Sequence, residues 1–376
     1  MKKIILTGGG TAGHVTPNIA LVPALKEAGF DISYIGSKNG IERELIRNVG
    51  IHYYAISSGK LRRYFDLKNF SDPFRVLKGY NEAKRILRFE KPDVLFSKGG
   101  FVSVPVVLAA KALHIPAVIH ESDMTPGLAN RIAAKGASYF CCNFPETLKL
   151  LPEGKAVLSG TPIREELFHG SLESGRSFTG LTDDKPVLII IGGSQGSKAI
   201  NDAIRQSIIC NSDNSSESDN SAASYDNSGL LADFNIIHLC GKGNIDERLT
   251  NTNGYLQYEY IGEELPDLFA MADIVISRAG ANAICELLAL KKPNILIPLP
   301  LSQSRGDQIL NAKSFEKQGF SYLLEENNET VSTEQLEKAV HNVYANRDSY
   351  IKAMNESSSS DSIKIIVDLL NKLANK

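Results

Sequence analysis

The chain has 376 residues, enough for two domains of ordinary size, and its 43% hydrophobic and 22% charged content is that of a soluble globular protein. Its 41 Lys+Arg and 43 Asp+Glu leave a net charge of −2, which argues against nucleic acid or a strongly acidic macromolecule as partner. Five cysteines (Cys141, Cys142, Cys210, Cys240, Cys285) lack CxxC spacing, which argues against a disulfide framework or a zinc site.

The N-terminus runs Met1-Lys2-Lys3 into Ile4–Thr7 and then glycines, too short an apolar stretch for a secretory signal. A cytoplasmic protein is therefore expected. Ile4–Thr7 reads as a buried strand, and Gly8-Gly9-Gly10-Thr11-Ala12-Gly13-His14 follows it before a helical pattern. Gly8, Gly10 and Gly13 fit GxGxxG, a weak signal alone. A dinucleotide site also wants a carboxylate closing the second strand. That strand, from Ile32, ends Ile35-Gly36-Ser37, which disfavours a nicotinamide-dependent oxidoreductase.

Residues 60–91 carry ten basic and four acidic residues, with Tyr64, Phe65, Phe70, Phe74 and Tyr80 interleaved. A basic rim around apolar groups suits an anionic bilayer surface. Strand Val94–Ser97 opens a second glycine loop, Lys98-Gly99-Gly100-Phe101. The most apolar stretch, 102–119, is broken by Pro105, Lys111, His114 and Pro116 and cannot span a bilayer; its end, Ala117–His120, reads as a strand. A domain junction is expected near Thr161–Gly180.

Strand Val187–Ile191 and Gly192-Gly193-Ser194-Gln195-Gly196-Ser197 repeat the opening plan. Residues 211–229 are nearly all Ser, Asn, Asp, Glu and Ala and read as a disordered insertion before strand Ile236–Leu239. Strand Ile274–Ser277 leads into Arg278-Ala279-Gly280 and a helix containing Glu286, whose carboxylate could accept both hydroxyls of a ribose. Strand Asn294–Pro298 is followed by Asp307–Asn311, a source of amide groups. A serine run, 357–360, precedes a final apolar helix, Ile363–Leu373.

Continuous apolar strands alternating with helices specify an α/β fold: two Rossmann-like, doubly wound parallel-sheet domains facing across a ligand cleft. The expected boundaries are 1–164, 165–345, and a C-terminal segment, 346–376. No Asp-x-Asp pair occurs, so leaving-group charge falls to N–H groups, helix dipoles and Arg164.

The ordered set GGGTAGHVTP (8–17), FSKGGFVSVP (96–105), HESDMTPGLAN (120–130), GTPIR (160–164), GGSQGS (192–197), SRAGANAICE (277–286) and DQILNA (307–312) resembles the bacterial cell-wall N-acetylglucosaminyltransferases that act on undecaprenyl-pyrophosphoryl-muramylpentapeptide. The resemblance covers nearly the whole chain. It implies a glycosyltransferase-B architecture whose last helix crosses back onto the first domain. It also implies an inverting transfer from UDP-N-acetylglucosamine to the C4 hydroxyl of a lipid-linked muramyl-pentapeptide, without metal or cofactor, at the cytoplasmic face of the membrane.

Donor contacts are implied for Thr11, Ala12, Gly13, Arg164, Ser194, the backbone of Ile261, and Ala281, Asn282, Ala283, Ile284, Cys285 and Glu286, with Gln308. Gly99 and Gly100 would lie near the acceptor diphosphate. The family pattern has Gln-Asn after His-Glu, whereas this chain has Ser122-Asp123, so Asp123 is the substitute sugar contact. His14 is the candidate general base, because imidazole titrates near neutrality. The rival readings are a UDP-N-acetylglucosamine 2-epimerase or glycolipid synthase of the same fold, and a non-catalytic nucleotide-sugar binding module.

Overall fold

The computed structural model describes residues 1–59, 72–193, 195–209, 229–327, 329–357 and 361–375. Ser194, the insertion at 211–229 except Gly229, residues 60–71 of the basic segment and residues 358–360 of the serine run lie outside the described residues. The chain forms two units, one from Met1–Arg164 completed by the C-terminal stretch, the other from Glu165–Ser357.

In the first unit the strands are β1 (Lys2–Thr7), β2 (Phe30–Ser37), β3 (His52–Ile56), β4 (Val94–Ser97), β5 (Ala117–Glu121), β6 (Tyr139–Cys142) and β7 (Ala156–Leu158). All pair in parallel, in the order β3-β2-β1-β4-β5-β6-β7. The helices are α1 (Thr16–Glu27), α2 (Glu42–Asn48), α3 (Asp72–Glu90), α4 (Ser103–Ala112), α5 (Leu128–Ala133) and α6 (Pro145–Leu148). Strand β4 is buried at every residue, as a central parallel strand covered on both faces must be. Ile5, Leu95 and Ile119 pack with α3 and α4 on one face, while Ile4, Leu6 and Phe96 pack with α1 and the C-terminal helix on the other.

The second unit contains β8 (Val187–Ile191), β9 (Asn235–Leu239), β10 (Tyr255–Tyr258), β11 (Ile274–Ser277), β12 (Asn294–Leu296) and β13 (Tyr322–Leu323). They too are all parallel, ordered β10-β9-β8-β11-β12-β13. Its helices are α7 (Leu172–Thr179), α8 (Lys198–Ile209), α9 (Leu230–Asp233), α10 (Leu265–Met271), α11 (Ala281–Ala289), α12 (Asp307–Lys317), α13 (Thr333–Ala345) and α14 (Arg347–Asn355). The final helix, α15 (Ser362–Ala374), returns to the first unit. There Ile366, Val367, Leu370 and Leu373 enter the core, and Ser362 Oγ donates to Thr161 O at 2.8 Å.

The returning segment begins later than the expected residue 346. Helix α14 belongs to the second unit: Met354 is buried there, and Lys291 Nζ donates to its carbonyl at 2.7 Å. A polar stretch such as Arg347–Lys352 carries no sign of which unit it will cover.

Candidate active site

In each sheet the strand order reverses once, between β1 and β4 in the first unit and between β8 and β11 in the second. Ligands of open parallel sheets bind beyond the carboxyl ends of the strands at such a reversal. The first two glycine loops leave β1 and β4 there, side by side, joined by Lys98 N donating to Thr7 O at 2.9 Å. They touch backbone to backbone. Gly100 has φ +83°, and a Cβ on it would stand 2.1 Å from Gly9 O. Only glycine serves both demands.

Buried polar groups hold the first loop. Tyr34 Oη donates to Gly8 O at 2.9 Å, and the Asn18 amide donates to Thr7 O at 3.2 Å. Glu42, fully buried at the start of α2, accepts from Gly10 N (3.3 Å), Ser37 N (2.9 Å) and Ser37 Oγ (2.5 Å). A carboxylate thus does reach the end of β2, but from the following helix, and its lone pairs serve the loop. The Gly10 N–H is therefore already committed to an anion of the protein itself.

His14 ends the short 3-10 turn Ala12–His14 and is half-buried. Burial and the charge of Lys98 pull its pKa down to about 4, against an opposing effect of Glu42. The imidazole is neutral at pH 7. Its Nδ1 lies 2.9 Å from Thr11 Oγ1. If Nδ1–H donates to that hydroxyl, Nε2 presents a lone pair and can take a proton; the other tautomer cannot.

The third loop follows β5. His120 is fully buried, and burial with the neighbouring Lys98 charge holds it well below its ordinary pKa. Lys98 Nζ is 2.8 Å from His120 Nδ1, and His120 Nε2 is 2.8 Å from Gly160 O. A neutral ring that accepts at Nδ1 and donates at Nε2 satisfies both contacts. Lys98, itself buried, also reaches Ser122 Oγ and, at 3.3 Å, Thr161 Oγ1. Glu121 accepts from Ser122 N, Asp123 N, Gly127 N and the Asn130 amide at 2.8–3.2 Å, and burial raises its pKa. This carboxylate folds the loop carrying Asp123 around itself.

In the second unit Arg278 plays the corresponding part. Its guanidinium is buried and donates to Glu326 Oε2 (2.6 Å), Ser197 Oγ (2.6 Å), Ile297 O (3.1 Å) and Pro298 O (3.2 Å). It ties the glycine loop after β8 to the ends of β11 and β12. Helix α11 starts beside it, after extended Gly280. The N–H groups of Ala281, Asn282 and Ala283 stand in the first turn of that helix, and a helix N-terminus favours an anion.

The side chains of Ile284 and Cys285 point into the core, so only their backbone could meet a ligand, and Ile284 N already donates to Gly280 O at 3.1 Å. Glu286 is half-buried one step further along the helix. Gln308 Oε1 accepts from Leu299 N at 3.1 Å, which orients its amide N–H groups. Ile261 is buried, and the Nε of Arg164 is buried without a hydrogen-bond partner. An unsatisfied buried donor of this kind suits a missing acceptor such as a phosphate oxygen. Thr11 and Gly13 lie with His14 on the first loop, and Gly99 and Gly100 on the second.

Glu42, Lys98, His120, Glu121, Arg278 and Glu326 were not among the residues singled out from sequence. Lys98 and Glu121 had a usable signal, a charged residue at the carboxyl end of an otherwise apolar parallel strand. The Arg278–Glu326 pair, 48 residues apart, had none.

The sequence profile of the glycosyltransferase family 28 N-terminal domain matches residues 4–139, and that of its C-terminal domain matches residues 187–369. The chain is 59% identical to the UDP-N-acetylglucosamine–N-acetylmuramyl-(pentapeptide) pyrophosphoryl-undecaprenol N-acetylglucosamine transferase of Lachnoclostridium phytofermentans, over 99% of each chain. It is 58% identical to the enzyme of the same name from Lachnospira eligens, over 98% of this chain and 99% of that one. The crystal structure of MurG from Acinetobacter baumannii is 25% identical, covers 99% of this chain and 100% of its own, and superposes with a TM-score of 0.71.

Proposed function

The chain belongs to glycosyltransferase family 28, and from that membership we propose how its residues move N-acetylglucosamine from UDP-N-acetylglucosamine onto a lipid-linked muramyl-pentapeptide. The observation that carries the reaction itself is the 59% identity, end to end, with an enzyme named for it. The C4 hydroxyl of the muramyl sugar attacks the anomeric carbon of N-acetylglucosamine. Nε2 of His14 takes the hydroxyl proton as the new bond forms. The bond from C1 to the UDP oxygen breaks with its electron pair, and the configuration inverts to a β-1,4 linkage.

Charge on departing UDP is met by the N–H groups of Ala281–Ala283, the glycine loop containing Ser194, and Arg164. Glu286 accepts from the ribose hydroxyls, Gln308 and the Ile261 backbone complete the nucleotide's surroundings, and Thr11–Gly13 with Asp123 face the sugar. Gly99 and Gly100 receive the acceptor diphosphate. These assignments rest on the resemblance and on neutral His14, the oriented Gln308 amide and the unsatisfied Arg164 Nε. No metal is required in this scheme.

The decisive measurement is UDP release in EDTA, with and without a soluble analogue of the lipid-linked muramyl-peptide. Release that depends on the acceptor is expected. Release from donor alone, with an altered hexosamine as product, would instead favour the epimerase alternative.

Docking at the cytoplasmic face of the membrane is the second part of the proposal. Among the described residues no helix is long and apolar enough to cross a bilayer. Helix α3 instead exposes Phe74 (75%) and Leu77 (59%) beside Arg75 and Lys78. An apolar pair within a basic surface suits an anionic interface. The double variant F74S/L77S should lose co-sedimentation with anionic vesicles at low salt while keeping turnover of a soluble acceptor. Unchanged co-sedimentation would remove α3 from the contact.

A further inference from the structure

A cavity of about 670 Å³ opens beside the first glycine loop, at the carboxyl ends of β1, β2 and β3. Its floor is Gly9, Gly10 and Glu42, and Phe101 and Val102 of the second loop close one side. Three cations line it: Lys38 from the β2–α2 connection, and Arg75 and Lys78 from the first turns of α3. Ser57, Ser58 and Asn39 supply hydroxyl and amide groups between them. Among the described residues Glu42 is the one carboxylate in the lining, and it is fully buried with its oxygens bonded to Gly10 and Ser37. The open walls are therefore positive.

The wall formed by α3 is built with care. At Gly79 a Cβ would stand 2.0 Å from Ser57 O, so glycine lets the helix close on the loop after β3. Glu82, one turn on, accepts from Ser57 N at 2.5 Å and from Ser57 Oγ at 3.2 Å, and lies 3.6 Å from Lys38 Nζ. The helix bearing Arg75 and Lys78 is thus pinned to the loops that face it.

Resting on the transfer reaction proposed above, we propose that this cavity receives the peptide arm of the acceptor, and that Lys38, Arg75 and Lys78 bind its carboxylates. The placement follows from substrate chemistry. The cavity adjoins the loop that ends in His14, and Glu42 in its floor accepts from Gly10 N of that loop at 3.3 Å. The peptide of a muramyl sugar hangs from O3, next to the reacting O4, whereas the diphosphate leaves from C1, across the ring. With O4 at His14, the O3 arm enters the neighbouring space. A volume of about 670 Å³ far exceeds a phosphate and suits several peptide residues. Three cations, against the single partly exposed carboxylate of Glu82 beside Lys38, leave a positive excess that suits a chain ending in an anion.

The test uses the whole protein and soluble short-chain acceptors, so that membrane docking plays no part. Three acceptors are compared: the free-acid pentapeptide, the same peptide with its carboxylates amidated, and the lactyl sugar without peptide. For the wild type, amidation should raise the acceptor KM about tenfold, a change that a few exposed charge contacts can produce, with kcat and donor KM within twofold. The triple variant K38Q/R75Q/K78Q should show that raised KM already with the free acid and no further rise on amidation. All three positions are exposed, and Glu82 keeps its bonds to Ser57 without Lys38, so the fold should persist, and an unchanged donor KM verifies it.

A triple variant with wild-type KM for the free acid would overturn the assignment. So would a variant whose KM rises equally for all three acceptors, which would mean that the cations read the diphosphate. Absence of transfer by the wild type with any acceptor would instead defeat the reaction on which the inference rests.

Discussion

His14 is a histidine kept neutral by its surroundings, with a pKa near 4 set by burial and by the charge of Lys98. A base must be unprotonated to act, so activity resting on His14 is present above that pKa and lost as pH falls through it. The expected profile of kcat/KM is flat from neutrality to about pH 5, with an acid limb near pH 4 rather than near 6.5. His14→Ala should lower kcat by about 10²–10⁴-fold and leave the donor KM within a few-fold. A limb that persists unchanged in the variant would assign it to another group. The tautomer matters as much as the pKa, and the Thr11 hydroxyl 2.9 Å from Nδ1 is the group that can set it.

At the scale of elements, the two glycine loops form one surface because Gly100 and Gly9 meet without side chains. Gly100→Ala combines a left-handed backbone with a Cβ placed 2.1 Å from a carbonyl oxygen. It should cost about 1–3 kcal/mol, read as a lower urea midpoint, and should raise the acceptor KM more than the donor KM.

All the interior strands but one were readable from sequence. Val94–Ser97, Val187–Ile191 and Ile274–Ser277 are continuous apolar runs and match β4, β8 and β11 end to end. The strands β3, β6, β7, β10 and β13 were not, and all but β6 are sheet edges; β6 is a short interior strand of Tyr, Phe and two Cys, without the aliphatic run of its neighbours. An edge strand is covered less completely, so its sequence, such as His52–Ile56 with exposed His52 and Ala55, lacks the unbroken apolar signature. The glycine loops were legible as motifs because they must turn at strand ends. The polar residues beneath them were not, because pairs such as Lys98 with His120 or Arg278 with Glu326 exist only once separate strands lie side by side.

At the scale of the molecule, the first unit is discontinuous in sequence, since α15 lies far from the strands it covers. Four large side chains of that helix (Ile366, Val367, Leu370, Leu373) are buried against the first sheet. At about 1.5–3 kcal/mol each they bring at least ~6 kcal/mol, comparable with the whole stability of an ordinary domain. Truncation after Ser357 should therefore unfold the first unit and spare the second. Limited proteolysis with mass analysis should leave a resistant core within 165–357 and digest 1–164. Survival of both cores would show that α15 contributes little.

The same discontinuity sets an order of birth. A ribosome makes the first sheet of this chain first, yet the helix that covers one of its faces emerges only after the whole of the second unit. The half of the protein synthesised second has all its segments in hand sooner and can finish before the half synthesised first. The sheet that bears the His14 loop is then not covered on both faces until α15 has been made.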